Sequence, residues 1–221
     1  MGHTEAWQCQ LAHSANINRL ESGGWVPALS TWAGHAEAVA TLLWMGTEVD
    51  GADAEGCTAL QAAAWGSHKD MVELLLEAST QVDEVNVAGH TALLVAATMG
   101  HKAVVSALLF WGAAVDRVDP EGWTAQAVAA VQGSTAMAQA LLAWGLDEKH
   151  CDTWGWSLLH LAARDGHCPC LCLLLESCPA LDCCSHEGHT ALTTAALHGH
   201  HPATELLLHY GADPNLCDAE G

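Results

Sequence analysis

Gly56, Gly89, Gly122, Gly155 and Gly188 stand 33 residues apart, and Gly23 and Gly221 fall on the same grid. A chain that returns to one pattern at this period does not build one unique core. Each unit is too short to bury its own apolar face, so neighbouring units must stack and share a continuous core. The stretches GCTALQAAAWGSHKDMVELLLEAS, GHTALLVAATMGHKAVVSALLFWG, GWTAQAVAAVQGSTAMAQALLAWG, GWSLLHLAARDGHCPCLCLLLESC and GHTALTTAALHGHHPATELLLHYG all follow that pattern.

Within each period the residues predict two short helices and a loop. Thr58, Thr91, Thr124, Ser157 and Thr190 stand where a first helix would be capped by a hydroxyl. The small pairs Ala63–Ala64, Ala96–Ala97, Ala129–Ala130, Ala162–Ala163 and Ala195–Ala196 fall inside that helix and allow close stacking. The second helix carries apolar residues at helical spacing, such as Met71, Val72, Leu75 and Leu76, or Val104, Val105, Leu108 and Leu109. Gly46, Gly112, Gly145 and Gly211 follow it as left-handed stops. Pro169 and Pro202 stand where the second helix begins, a position that tolerates proline. The rest of each period is a loop whose glycine-containing tip projects to one side.

The glycine–x–Thr–Ala–Leu opening, the small pair, the Gly-His step and the closing Leu-Leu-x-x-Gly resemble the ankyrin repeat over essentially the whole chain. The resemblance implies an all-α solenoid of stacked helix-turn-helix units with projecting hairpin tips. It places six repeats over 23–215, a partial repeat over 1–22 and the start of another over 216–221. The ends read as a segment of a longer array, since the chain opens inside a second helix and stops at DAEG. The first full repeat, GGWVPALSTWAGH, is one residue short, with Gly24 favoured as its tip.

Charge and composition narrow the function. Six Lys and Arg against 26 Asp and Glu give a net charge of −20, which repels a phosphate backbone and excludes nucleic acid as a natural partner. Such a surface keeps a domain soluble and would steer a basic partner inward. MGHTEAWQCQ is not a secretory signal, and no apolar run reaches the ~18 residues of a transmembrane segment. Ten cysteines without that signal point to free thiols in a reducing, cytoplasmic compartment. No nucleophile elbow, Walker loop or zinc-protease motif occurs, so no catalytic residue, metal or cofactor is expected.

One stretch competes with that reading. GHCPCLCLLLESCPALDCCSH holds Cys168, Cys170, Cys172, Cys178, Cys183 and Cys184 near His160, His167 and His186, all ligand types that zinc prefers. On a helix, however, alternate residues point about 200° apart, so only Cys168 and Cys172 share a face. Cys170 occupies the frame of Met71, Val104 and Met137, which makes it a buried apolar residue. The resemblance gives His35, His68, His101, His167 and His200 a structural role, bonding backbone at the inter-helix turn, and His160 likewise. Gln61, Leu94, Ala127 and Thr193 replace His160 in the other repeats, which puts its hydrogen bond in doubt there.

The resemblance also implies a non-catalytic scaffold that holds a protein or peptide, basic by charge complementarity, on a concave face of loop tips and first helices. Its contact frames flank the tip glycine and precede Gly-His. Before the tip they select Trp154 and Glu187. After it they select Trp25, Trp123, Trp156, His90 and His189, with Cys57. Before Gly-His they select Trp32, Trp65, Met99, Arg164 and His198. Tryptophan is enriched where partners bind. Trp111 and Trp144 precede stop glycines and read as structural. The chain is expected to be monomeric. SALLFWGAAVDRVDPEG and LLAWGLDEKHCDTWGWSLLHLAA are similar to a narrower set of long ankyrin arrays, implying endosomal or membrane trafficking. There the tip glycine is followed by Arg. Here Cys57, His90, Trp123, Trp156 and His189 each lie one nucleotide transition from an Arg codon. Contact residues on a scaffold, scars of a degenerating copy and a Cys/His metal module therefore remain three readings.

Overall fold

In a computed structural model the chain divides into two compact units, residues 1–114 and 115–221. The structure describes residues 36–44, 50–53, 55–145, 150–177 and 180–216. The partial repeat over 1–22, the choice of Gly24, Gly46 and His35 lie outside them.

The first unit contains α1 (Ala36–Trp44), α2 (Ala59–Trp65), α3 (Lys69–Glu77), α4 (Ala92–Thr98) and α5 (Lys102–Phe110). The second contains α6 (Ala125–Val131), α7 (Thr135–Leu142), α8 (Leu158–Arg164), α9 (Cys168–Ser177), α10 (Ala191–Leu197) and α11 (His201–His209). Among the described residues the nearest approach to a strand is an isolated bridge, Ala52 with Thr58. In each unit first helices pack on first helices and second on second: α2 on α4 and α3 on α5, then α6 on α8 on α10 and α7 on α9 on α11.

The capping hydroxyls start the first helices. The side chains of Thr58, Thr91, Thr124 and Thr190 accept the backbone N–H three residues on, each from an extended backbone. Six of the seven residues of α2 are buried, because the helix is covered both by its partner and by the next repeat. Only alanine fits where two such helices touch: Ala63, Ala64, Ala96 and Ala97 are fully enclosed. The second helices are amphipathic. Met71, Val72, Leu75 and Leu76 face inward, while Lys69 and Glu73 pair outside at 3.1 Å. In the second unit Leu171, Leu174 and Cys170 play the inward part. Pro169 is the second residue of α9, and Pro202 sits in the first turn of α11.

The Gly-His histidines join one repeat to the one before it. Nε2 of His101 lies 2.9 Å from the carbonyl oxygen of Trp65, Nε2 of His167 2.8 Å from that of Val131, and Nε2 of His200 2.9 Å from that of Arg164. A carbonyl accepts only, so these rings carry hydrogen on Nε2. Each bond satisfies an orphan carbonyl at the end of a first helix.

The doubt over Gln61 is removed. Its Oε1 accepts from the Thr58 N–H at 3.1 Å, and its Nε2 donates to the carbonyls of Glu84 and His90 at 2.8 and 3.0 Å. A carboxamide has an acceptor and donors at the two ends of a planar group, as a neutral imidazole does, so it replaces the histidine. Thr193 keeps half of the pattern, accepting from the Thr190 N–H at 2.8 Å. Leu94 and Ala127 have no side-chain polar atom to offer.

Part of the acidity is structural. Carboxylates of Asp50, Asp83 and Asp182 accept backbone N–H groups of Gln81, Ala114 and Asp213, each 31 residues further on. These aspartates therefore fasten one repeat's exit turn to the next.

Candidate partner-binding surface

The tips are built by a residue three places before each glycine. Asp53, Asn86, Asp119, Asp152 and Ser185 each accept, through the side chain, the N–H of the residue four places on. Their own N–H groups donate to the carbonyl of that same residue, closing a small hairpin. Adjacent tips are tied as well: Thr153 N–H donates to the Glu121 carbonyl at 3.1 Å, and His186 N–H to the Trp154 carbonyl at 3.0 Å. The tip tryptophans thus project from fixed turns.

Asp152 is the centre of one tip. Its Oδ1 accepts from the N–H groups of both Trp154 and Trp156, at 2.9 and 2.8 Å, and the residue is buried. Trp156 lies along α8, its ring centroid 6.0 Å from that of His160, with Arg164 Cζ 5.7 Å from its centre. Arg164 is held in turn by Asp165 through Nε at 3.2 Å and Nη2 at 3.0 Å. Trp123 is anchored by its N–H on Asp119 Oδ1 at 2.7 Å. Its indole Nε1 is buried with no acceptor among the described residues.

These side chains enclose an open pocket of about 310 Å³ in the second unit, lined by Trp123, Asp152, Trp154, Trp156, Leu161, Arg164, His186 and Glu187. Five of the expected contact residues meet there: Trp123, Trp154, Trp156, Arg164 and Glu187. Glu187 comes from the next tip, its carboxylate 3.5 Å from Nδ1 of His189. His189 and His198 do not line the pocket. His198 donates through Nδ1 to the Thr194 carbonyl at 2.9 Å and stacks parallel to His200. Trp65, His90 and Met99 belong to the first unit, where Trp65 and Met99 are exposed. Trp25 and Trp32 lie outside the described residues. Trp111 and Trp144 keep 39% and 53% of their surface exposed.

The contact frames do not contain Asp152 or Leu161. A signal for the first was present: an Asx or Ser residue stands three before each of the five tip glycines from Gly56 to Gly188. Leu161 hides among the core leucines of its helix, and only the tertiary structure reveals that it forms the pocket floor.

Among the described residues the cysteine stretch forms no cluster: no three His, Cys, Asp or Glu side chains converge on a point an ion could occupy. Cys178 lies outside those residues. Cys170 is fully enclosed, and burial pushes its thiol up to about 11, while Cys184 is exposed. The Cys57 thiol is raised by burial first and by Asp53 and Glu55 next. Only thiolate reacts. With timed maleimide labelling at about pH 8, Cys170 is therefore expected to react at least ~100-fold more slowly than Cys184. Peptide mass spectrometry checks this. Equal rates would mean that α9 does not bury its inner face.

Among the described residues no helix is long and apolar enough to cross a membrane. No curated protein matches the chain. A family profile described as ankyrin repeats (3 copies) matches residues 27–119, 80–150, 108–183 and 126–218. Ankyrin repeats generally mediate protein–protein interaction, and proteins made of them are typically non-catalytic scaffolds. The four matches overlap into a continuous span from residue 27 to 218, and the chain belongs to the ankyrin-repeat family.

Proposed function

We propose that this protein is a non-catalytic interaction scaffold whose tips and first helices bind a basic segment of a partner protein. The observation that carries this reading is the convergence of Trp123, Trp154, Trp156 and Arg164 on one open pocket. Trp154 exposes 54% of its surface at a fixed turn beside the half-buried Trp123 and Trp156, and exposed aromatic surface favours partner contact. The remaining positions of the same frames, His189 and His198 in the second unit and Trp25, Trp32, Trp65, His90 and Met99 in the first, are further proposed contact residues, each within its own unit. The net charge of −20 favours a basic partner. Ten cysteines favour a cytoplasmic home. The stretch SALLFWGAAVDRVDPEG is similar to part of the array of ankyrin repeat domain-containing protein 50, which supports a trafficking role as the finer reading.

Selection of displayed random peptides on the whole chain tests the surface. Selected peptides are expected to lose roughly tenfold or more in affinity on Trp154→Ala, and again on Trp123→Ala. Peptides that bind both variants as tightly as the parent would refute it.

A further inference from the structure

The pocket's walls specify a charge as well as a shape. An indole face attracts a cation placed within about 6 Å of its centroid. The protein already uses this attraction internally, with Arg164 over Trp156 at 5.7 Å. Asp165 balances that guanidinium through two hydrogen bonds, so its charge is locally spent. Among the described residues no cation stands over Trp123 or Trp154, and Trp154 is 54% exposed.

The carboxylates agree with the rings. Asp152 and Glu187 both line the pocket, and the Glu187 side chain is 76% exposed at its rim. The floor is Leu161. Tryptophan side chains, a buried leucine and an exposed carboxylate match a side chain with a long methylene stem and a positive end. Arg164 already brings one planar guanidinium to this wall over Trp156, and a compact ammonium carries its charge in on a narrower head than a second guanidinium would.

We propose that this pocket anchors a lysine side chain of a basic protein segment, with its stem against the aromatic wall and its ammonium between the indole faces and Glu187. The inference rests on the scaffold reading and narrows it to one anchor residue.

Nitrogen-15 spectra of the whole chain, with indole N–H signals assigned by single Trp→Phe exchanges, test it directly. The probes are N-acetyl-lysine methylamide and its neutral analogue N-acetyl-norleucine methylamide. The signals of Trp123, Trp154 and Trp156 are expected to move with the lysine probe, at an apparent affinity at least roughly fivefold above the norleucine probe. Glu187→Gln, on an exposed side chain, is expected to weaken the lysine probe about threefold and to lower its salt dependence. Equal affinities for the two probes would overturn the cationic anchor. So would unmoved pocket signals with either probe. In both cases selected peptides that still need Trp154 would leave the scaffold reading standing. If no selected peptide needs the tip tryptophans, the scaffold reading falls and the anchor with it.

Discussion

Gly155→Ala is expected to destabilise the second unit by about 3 kcal/mol or more, while Gly199→Ala costs only about 1 kcal/mol. Both glycines are left-handed, at φ +79° and +74°. A methyl group on Gly199 would meet nothing within 4 Å. On Gly155 it would lie 2.8 Å from the backbone nitrogen of His186 and 2.7 Å from that residue's ring. The ring can turn away, but the backbone cannot, because the His186 N–H is bonded to the Trp154 carbonyl. Alanine at 155 therefore adds the separation of two tips to the conformational cost. The same separation would pull Glu187 away from Trp154 and open the pocket. Urea unfolding of the two variants measures the difference. Equal destabilisation would show that the tips do not press on one another.

That contrast marks how far the sequence could be read. The 33-residue grid located Gly155 and Gly199, the capping threonines and the small alanines, because each is imposed by local backbone geometry that recurs in every repeat. Cys170 was legible for a similar reason: its frame holds Met71, Val104 and Met137, and a shared frame means a shared degree of burial. The convergence of Trp123 with Trp156 was only half legible. The period says that they occupy equivalent places, and it cannot say whether neighbouring tips lie close enough to share one cavity. That depends on the tip-to-tip hydrogen bonds from Thr153 and His186. At Gln61 the change of residue type hides a donor–acceptor pattern equivalent to that of a neutral imidazole. The part played by Asp152 went unseen because solvated acids are the common case in loops, whereas this one is buried under two backbone amides.

The bond pattern shared by Gln61 and His160 gives the second large effect. His160 is buried, with Nδ1 3.1 Å from the Ser157 nitrogen and Nε2 2.8 Å from the His189 carbonyl oxygen. His160→Ala leaves the Ser157 N–H without its acceptor, takes one of two donors from the His189 carbonyl, which keeps the Ser185 N–H, and opens a cavity, at an expected cost of about 3 kcal/mol. His160→Gln should keep both bonds, as Gln61 does in the equivalent place three repeats earlier, and stay within about 1 kcal/mol of the parent at neutral pH. The two differ in acid. Burial, the largest influence, lowers the His160 pKa below its ordinary 6.5, against the raising effect of its bond to His189. With the folded value below the unfolded one, the unfolded chain binds more protons as pH falls through 6.5. This group therefore removes stability from about 6.5 downward, until the folded pKa is also passed, and contributes no penalty above that range. Glutamine does not titrate. The parent's stability relative to His160→Gln is expected to decline between about pH 7.5 and about pH 5, read by urea unfolding at both values. Parallel losses in the two proteins would mean that His160 is not held as a neutral ring between Ser157 and His189.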